Sequence, residues 1–192
     1  MRLPQRERAV YALLAAICCA LVSAQASAQV ISDDEIVDAR AVLLEDGTMQ
    51  KVTDLDFGYI AMPNTAGTIS LTPAASSTYT PSFGLVRTGP CVAAQFAVRG
   101  RKNWLVRIRN MSGNPIVLDG PGPATMNVSL NLAVADMAAA PGGPSPPGTF
   151  GRWRITDDDG FGTFFVGGTL NVANGQAAGI YTGTFTIQVN FN

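Results

Sequence analysis

The chain contains no histidine, so its candidate catalytic side chains are carboxylates. Without imidazole there is no His-based triad, and the commonest general base and zinc ligand are missing. Asp54 and Asp56 are two residues apart in an extended stretch, and a carboxylate pair can cleave a glycosidic bond. The same spacing is typical of the polar face of an ordinary strand. We therefore predict that the protein is not an enzyme and needs no cofactor.

Three consecutive aspartates, Asp157–Asp159, precede Gly160 and are candidate calcium ligands, because Ca²⁺ prefers oxygen. An EF-hand loop would need an oxygen ligand where Ile155 stands, and a glutamate further along the chain. Neither is present. We predict a turn and no metal site, with a calcium-binding loop as the alternative.

Five basic residues lie close together in the middle of the sequence. Strand spacing would place Arg107 and Arg109 on one face, with Arg101 and Lys102 in the preceding turn. One interpretation is a solvated strand face; the other is contact with an anionic surface polysaccharide, a chaperone or a partner subunit. The cluster is Arg99, Arg101, Lys102, Arg107 and Arg109.

Two tryptophans and one cysteine complete the candidates. Trp104 and Trp153 could stack on a sugar, but Trp104 alternates in phase with Val106 and Ile108, which predicts a core position. Cys91 is the one cysteine beyond the first 28 residues, so it has no partner for an internal disulfide. It is interpreted as a small buried hydrophobic residue, with an intermolecular disulfide as the alternative.

The first 28 residues have the pattern of a signal peptide. A basic start is followed by an apolar run, Ala9–Val22, and then by the small residues Ala26–Ala28. The apolar run is shorter than the ~20 residues that span a bilayer. We predict cleavage before Gln29 and export, through the periplasm to the outer cell surface or the medium.

The remaining 164 residues are predicted to form a single domain, residues 29–192. The leader holds three of the 13 basic and one of the 14 acidic residues, which leaves a net charge of −3. This balance gives no indication of nucleic-acid binding, and no later apolar run is long enough for a membrane span.

Short alternating stretches, separated by glycine and proline, recur along this domain. They predict an all-β sandwich of eight or nine strands without a helix. Two intervening stretches, Ala74–Pro81 and Ala138–Gly148, read as loops. The predicted strands include Asp54–Ile60, Gly67–Thr72, Gln95–Arg99, Asn103–Arg109, Met126–Leu132, Phe150–Ile155, Phe161–Val172 and a final strand from Ile180 onward.

The final strand alternates more regularly than any other. Its apolar side chains share one parity with a glycine, while threonine, glutamine and asparagine occupy the other parity. Such a strand must be paired or covered, since an open edge is a template for association. The residues of the apolar face are Tyr181, Gly183, Phe185, Ile187, Val189 and Phe191.

Two groups of motifs resemble a known family. Asp54–Ile60 with Ala66–Leu71 resembles the opening of the bacterial domain-of-unknown-function family 4402. Gly167–Val172 with Ala178–Phe185 resembles its close. The likeness extends over roughly Ala39 to Asn192.

The ending is also similar to that of spore-coat-U-type and archaic chaperone–usher pilin subunits. That resemblance implies an incomplete immunoglobulin-like sandwich, whose missing strand comes first from a periplasmic chaperone and then from the next subunit. It implies a pilin-like structural subunit of a surface fibre or matrix, with a chaperone, an usher and self-association through strand exchange. The apolar face of the final strand would border the acceptor groove, and Gly183 would leave a hollow for a donor side chain.

Residues 29–44 would supply either the donated strand or the protein's own first strand. Within them, Val37, Ala39, Ala41 and Leu43 keep one parity, although charged residues interrupt the pattern. The alternative function is a monomeric secreted or cell-surface module with a self-completed sandwich, which binds carbohydrate or protein through its loops.

Overall fold

The structure is a computed structural model, in which every regular element is a β-strand. It describes residues 43–61, 64–141 and 150–192, and none of these is helical. Thirteen strands are formed: β1 Thr48–Thr53, β2 Tyr59–Ile60, β3 Gly67–Leu71, β4 Tyr79–Pro81, β5 Arg87–Thr88, β6 Ala94–Arg99, β7 Leu105–Asn110, β8 Ile116–Asp119, β9 Thr125–Ala135, β10 Met137–Ala139, β11 Arg152–Ile155, β12 Phe161–Val172 and β13 Ile187–Phe191.

The predicted all-β sandwich is confirmed, but the predicted number of strands was too low. The difference arises from β1 and β8, which lie outside the predicted strands, and from β4, β5 and β10, which are two or three residues long. Alternation cannot be recognised over two or three residues, so such a short strand is identified only by the strand with which it pairs. The predicted span of β12, Phe161–Val172, matches the structure.

The long strand β12 organises the first sheet. Along one edge it pairs with β6 through Phe161–Val166 and then with β3 through Gly168–Val172. Its other edge pairs with β9. The sheet is extended by β1 beyond β6, by β4 beyond β3 and by β8 beyond β9, and all of these pairs are antiparallel.

Two glycines mark the point at which β12 changes neighbours. A Cβ on Gly167 would collide with the carbonyl oxygen of Leu71, and a Cβ on Gly168 would lie 2.8 Å from that of Ser129. Glycine therefore permits the close approach of the flanking backbones. The Gly–Gly pair in the sequence has a packing role at this position.

The second sheet has the order β10, β11, β7, β13 and packs over one end of the first. The chain passes from β9 to β10, and so from one sheet to the other, through Asp136, whose φ is 60°. The end of the first sheet that the second sheet packs over is called the covered end. At this end Met137 contacts Gly162 closely, and a Cβ on Gly162 would lie 2.9 Å from the Met137 sulfur. A separate pair, β2 with β5, lies outside both sheets.

The core fills the space between the sheets. Val98 and Phe164 of the first sheet and Val106, Ile108 and Ile155 of the second have no solvent exposure. The rings of Phe96 and Phe164 stack with centroids 4.8 Å apart. At about 25 cal/mol per Å² of apolar surface buried, this layer is the main source of stability.

Four predictions about individual elements were wrong. Asp54–Ile60 is a strand only at Tyr59–Ile60, because Gly58 has φ +71° and its N–H donates to the Asp56 carboxylate in a turn. The two predicted loops overlap strands, because Ala74–Pro81 ends in β4 and Ala138–Gly148 begins in β10. Trp104 is half-buried outside the core, whereas Trp153 occupies a core position.

Several predictions fall outside the described residues. They are the signal peptide, the stretch 29–42 with Val37, Ala39 and Ala41, and most of the Ala138–Gly148 loop.

Candidate functional site

An apolar groove of about 670 Å³ lies over the end of the first sheet that the second sheet does not cover. Its floor is the inner face of that sheet, and the floor side chains come from four strands, β6, β8, β9 and β12. They are Ala94, Phe96, Ile116, Leu118, Met126, Val128, Leu170 and Val172. Because these positions alternate along their strands, the floor continues the face that forms the core elsewhere.

The C-terminal segment, residues 179–191, forms one wall. It begins beside β8, where Thr182 exchanges two backbone hydrogen bonds with Asp119, and it ends as β13 beside β7. The segment therefore passes from the edge of the first sheet to the edge of the second.

The predicted apolar residues of this segment point to the interior, but none is fully covered. The apolar side chains are half-buried and contact the core, whereas every even-numbered residue from Ile180 to Asn192 is exposed. The positions nearest the groove are Tyr181, Gly183, Phe185 and Ile187. Val189 and Phe191 lie further along, outside the groove lining.

The same segment has an unused backbone edge. Thr182, Thr186 and Asn192 direct hydrogen bonds toward β8 and β7. In an extended strand successive residues direct their N–H and C=O groups to opposite edges. The odd-numbered residues therefore present theirs to the other side, where the described residues supply no strand partner. An edge of this kind can accept another strand.

Residues 54–61 form the opposite wall, and both rims carry exposed apolar side chains. Tyr59 on this wall is 74% exposed, and Ile180 on the C-terminal segment is 84% exposed. Asp54 forms an ion pair with Lys51 and Asp56 closes the turn at Gly58, so both carboxylates make local contacts.

Tyr181 fixes the start of the C-terminal segment. Its hydroxyl donates to the Ala177 carbonyl over 2.7 Å and accepts from the Gln176 side-chain amide over 2.7 Å. Its ring lies on Gly120, where any side chain would collide with it.

Gly183 does not leave the predicted hollow. A Cβ at this position would lie 2.6 Å from the Val117 carbonyl oxygen and 2.8 Å from the Leu118 side chain. The space is already filled by β8. Gly183 is instead required for the close approach of the C-terminal segment to that strand.

The aspartate-rich stretch is a turn with defined roles for two of its carboxylates. Asp157 accepts from the backbone N–H groups of Asp159 and Phe161, over 3.0 and 3.1 Å. Asp158 forms an ion pair with Lys102. This hydrogen bond and the accompanying charge attraction lower the pKa of Asp158 and raise the pKa of Lys102. The parts of the chain that the structure describes contain no group of three or more potential metal ligands.

The predicted basic cluster divides into two groups. Arg99 and Arg101 pair with Asp46, over 3.5 and 3.1 Å, and Lys102 pairs with Asp158. Arg107 and Arg109 instead lie on the outer face of the second sheet.

Sequence reasoning missed two further arginines on that face. Arg152 and Arg154 of β11 alternate with the inward-facing Trp153 and Ile155. The alternating tetrapeptide carried this signal, but its distance in sequence from β7 concealed the grouping. The exposed apolar rims, Tyr59 and Ile180, were also missed, because nothing in either local pattern indicates an open groove.

Cys91 is free and half-buried. Its sulfur lies 3.8 Å from the Ser77 carbonyl oxygen, and the side chain packs against the core.

No helix in the described parts of the chain has the length and apolar character needed to cross a membrane.

The fold and the groove define an all-β sandwich with one end of its core open along a strand edge. The chain belongs to the family described as a domain of unknown function (DUF4402), whose model matches residues 48–191. The match begins at β1 and ends at the last residue of β13, so it covers both sheets and both groove walls. No curated protein and no solved structure matches the chain.

Proposed function

We propose that this protein is an exported structural subunit, pilin-like in its immunoglobulin-like sandwich, that assembles into a surface fibre or matrix by β-strand complementation. The observation that carries the proposal is the groove bordered by the C-terminal segment. There, an unused backbone edge and half-buried apolar side chains occur together. An incoming strand would form hydrogen bonds with this backbone edge and would cover these apolar side chains.

The proposed occupant is the N-terminal stretch of a second copy. Residues 36–44 would extend over about 30 Å as a strand. The groove wall from residue 179 to residue 187 has the same number of residues. Val37, Ala39, Ala41 and Leu43 would then face the floor.

The path of the chain favours a second copy over the protein's own tail. The chain enters β1 at Thr48, which pairs with Arg99 at the covered end of the sandwich. The groove lies toward the opposite end, beginning at Lys51. Leu43, five residues before β1, is fully exposed and does not line the groove. A periplasmic chaperone and an usher would protect and deliver such a subunit.

Disulfide trapping tests this proposal on the whole mature chain. All variants carry Cys91→Ser, and two differently tagged copies carry either Thr184→Cys on the groove rim or Ala41→Cys in the donor stretch. We expect a disulfide-linked heterodimer on mixing. Asn127→Cys, on the outer face of β9, replaces the rim cysteine as the control and should give none.

The same experiment tests the alternative function. If a single chain with both Thr184→Cys and Ala41→Cys closes an internal disulfide and the mixed copies do not cross-link, the tail completes its own sandwich. The assembly proposal would then be replaced by the monomeric binding module.

A further inference from the structure

The outer face of the second sheet concentrates positive charge on a protein with a net charge of −1. Its four strands, β10, β11, β7 and β13, contain four arginines and no aspartate or glutamate. Each of these arginines alternates along its strand with buried core residues, so all four lie on the outward face of the sheet. This arginine face consists of Arg107, Arg109, Arg152 and Arg154.

The strand register brings two of these charges directly opposite each other. Arg152 of β11 pairs with Arg107 of β7. Side chains at directly opposed positions have Cβ atoms about 4.5–5.5 Å apart, and like charges there are destabilising. The register therefore places a second positive charge directly beside Arg107.

Three other basic residues, close in sequence to β7, already have carboxylate partners. Arg99, Arg101 and Lys102 each pair with a carboxylate, Asp46 or Asp158. Within the described part of the chain, Arg107, Arg109 and Arg154 form no ion pair. The positive charges of these three arginines are therefore available to an external partner.

Amide side chains complete the same rows. Asn190 of β13 pairs with Arg107, and Gln188 pairs with Arg109. Both amides are exposed. Guanidinium groups bind carboxylates or sulfates through paired hydrogen bonds, and an adjacent amide can both donate to and accept from a hydroxyl. A sugar acid carries both kinds of group on one ring.

We propose that the arginine face binds an anionic polysaccharide, through its carboxylate or sulfate groups and neighbouring hydroxyls. The choice of polysaccharide over nucleic acid rests on the proposed export of the protein, which places it where surface glycans occur. The surface is separate from the groove, since none of the four arginines lines the groove. A subunit held in a fibre would thus anchor that fibre in a polyanionic matrix.

The test measures binding of the whole mature protein to immobilised polygalacturonate, with uncharged dextran as the reference polymer. We expect binding to polygalacturonate alone, and we expect it to weaken with added salt because exposed charges are screened. In the double variant Arg107→Gln/Arg109→Gln, affinity should fall at least about tenfold, as expected for the loss of charge-assisted hydrogen bonds.

The matched control is Arg99→Gln/Arg101→Gln, which removes the same charge from ion-paired positions. It should keep its affinity within about twofold, because those guanidinium groups already have carboxylate partners. Thermal melting of both variants establishes that each is folded.

Several results would overturn the inference. Equal losses in the two double variants would indicate general charge attraction, and equal binding to dextran would remove the role of the anion. Binding to an acidic peptide or to anionic lipid vesicles, but not to polygalacturonate, would assign the face to another class of partner. Phe185→Asp should block disulfide trapping in the groove and leave polysaccharide binding unchanged, so the two proposals can fail independently.

Discussion

The two ends of the first sheet have the same inner face but different covers. At the covered end, Val98 and Phe164 pack under the second sheet and are fully buried. At the open end, the same apolar pattern continues as the groove floor, and the bordering Tyr181, Phe185 and Ile187 remain half-buried. The difference shows that the apolar inner face of the first sheet extends beyond the part that the second sheet covers, and the strand-complementation proposal rests on this uncovered part.

The largest expected effect comes from truncating the same residue type at the two ends. Phe164→Ala should lower the free energy of unfolding by about 3–5 kcal/mol, because it leaves a cavity in the covered core. Phe185→Ala should lower it by about 1 kcal/mol, since that side chain is only partly buried. Urea denaturation measures both. Equal losses would contradict the division into a covered end and an open end.

The next largest effect is expected from a peptide that binds in the groove as the proposed additional strand. A peptide with the sequence of Ile36–Leu44 should raise the melting temperature of a variant lacking Gln29–Leu44. At 100 times its dissociation constant, a ligand of the folded state adds about 2.7 kcal/mol. A peptide in which Val37 and Ala41 are both replaced by aspartate is the control. If both peptides act alike, the groove does not select an apolar strand.

A smaller effect is expected where the C-terminal segment meets β8. Gly183→Ala places a methyl group 2.6 Å from the Val117 carbonyl oxygen, so the segment must move away from β8. The cost should be about 1–3 kcal/mol, as for overpacking elsewhere, and amide exchange at Thr182 should accelerate. Gly113→Ala is the comparison for a glycine with open space around it, although its positive φ has a cost of its own. Unchanged exchange at Thr182 in Gly183→Ala would show that the contact is not required.

The smallest effect belongs to the exposed ion pair at the covered end. The pKa of Asp158 is lowered by its hydrogen bond from Lys102 and then by the charge of that lysine. The contribution of Asp158 to stability is therefore present at neutral pH and is lost as the pH falls through this lowered pKa. Lys102 shows the opposite behaviour, because its pKa is raised and its contribution is lost as the pH rises through that value.

Lys102→Met should bring the pKa of Asp158 back up, as measured by NMR titration of its carboxyl carbon. Lys51→Met, which removes the partner of Asp54 instead, should leave the titration of Asp158 unchanged. The melting temperature should change little in either variant, because exposed ion pairs contribute little to stability.

The sequence alone determined the fold class and much of the candidate wall. Glycine and proline punctuation with two-residue alternation predicted the all-β sandwich, and β12 was located to the residue. In the C-terminal segment, the alternation identified which side chains face inward from Tyr181 to Phe191. These inferences succeeded because strand periodicity is a property of neighbouring residues.

Only the tertiary structure decided which surfaces lie opposite one another. It placed Gly183 against β8 where a hollow was predicted, and it left Trp104 outside the core. It separated Arg99 and Arg101, which pair with Asp46, from Arg107, which lies opposite Arg152. The groove itself arises because the second sheet covers only one end of the first. The physical reason is that strand pairing joins residues far apart in sequence, so local patterns record which face is apolar but not what covers it.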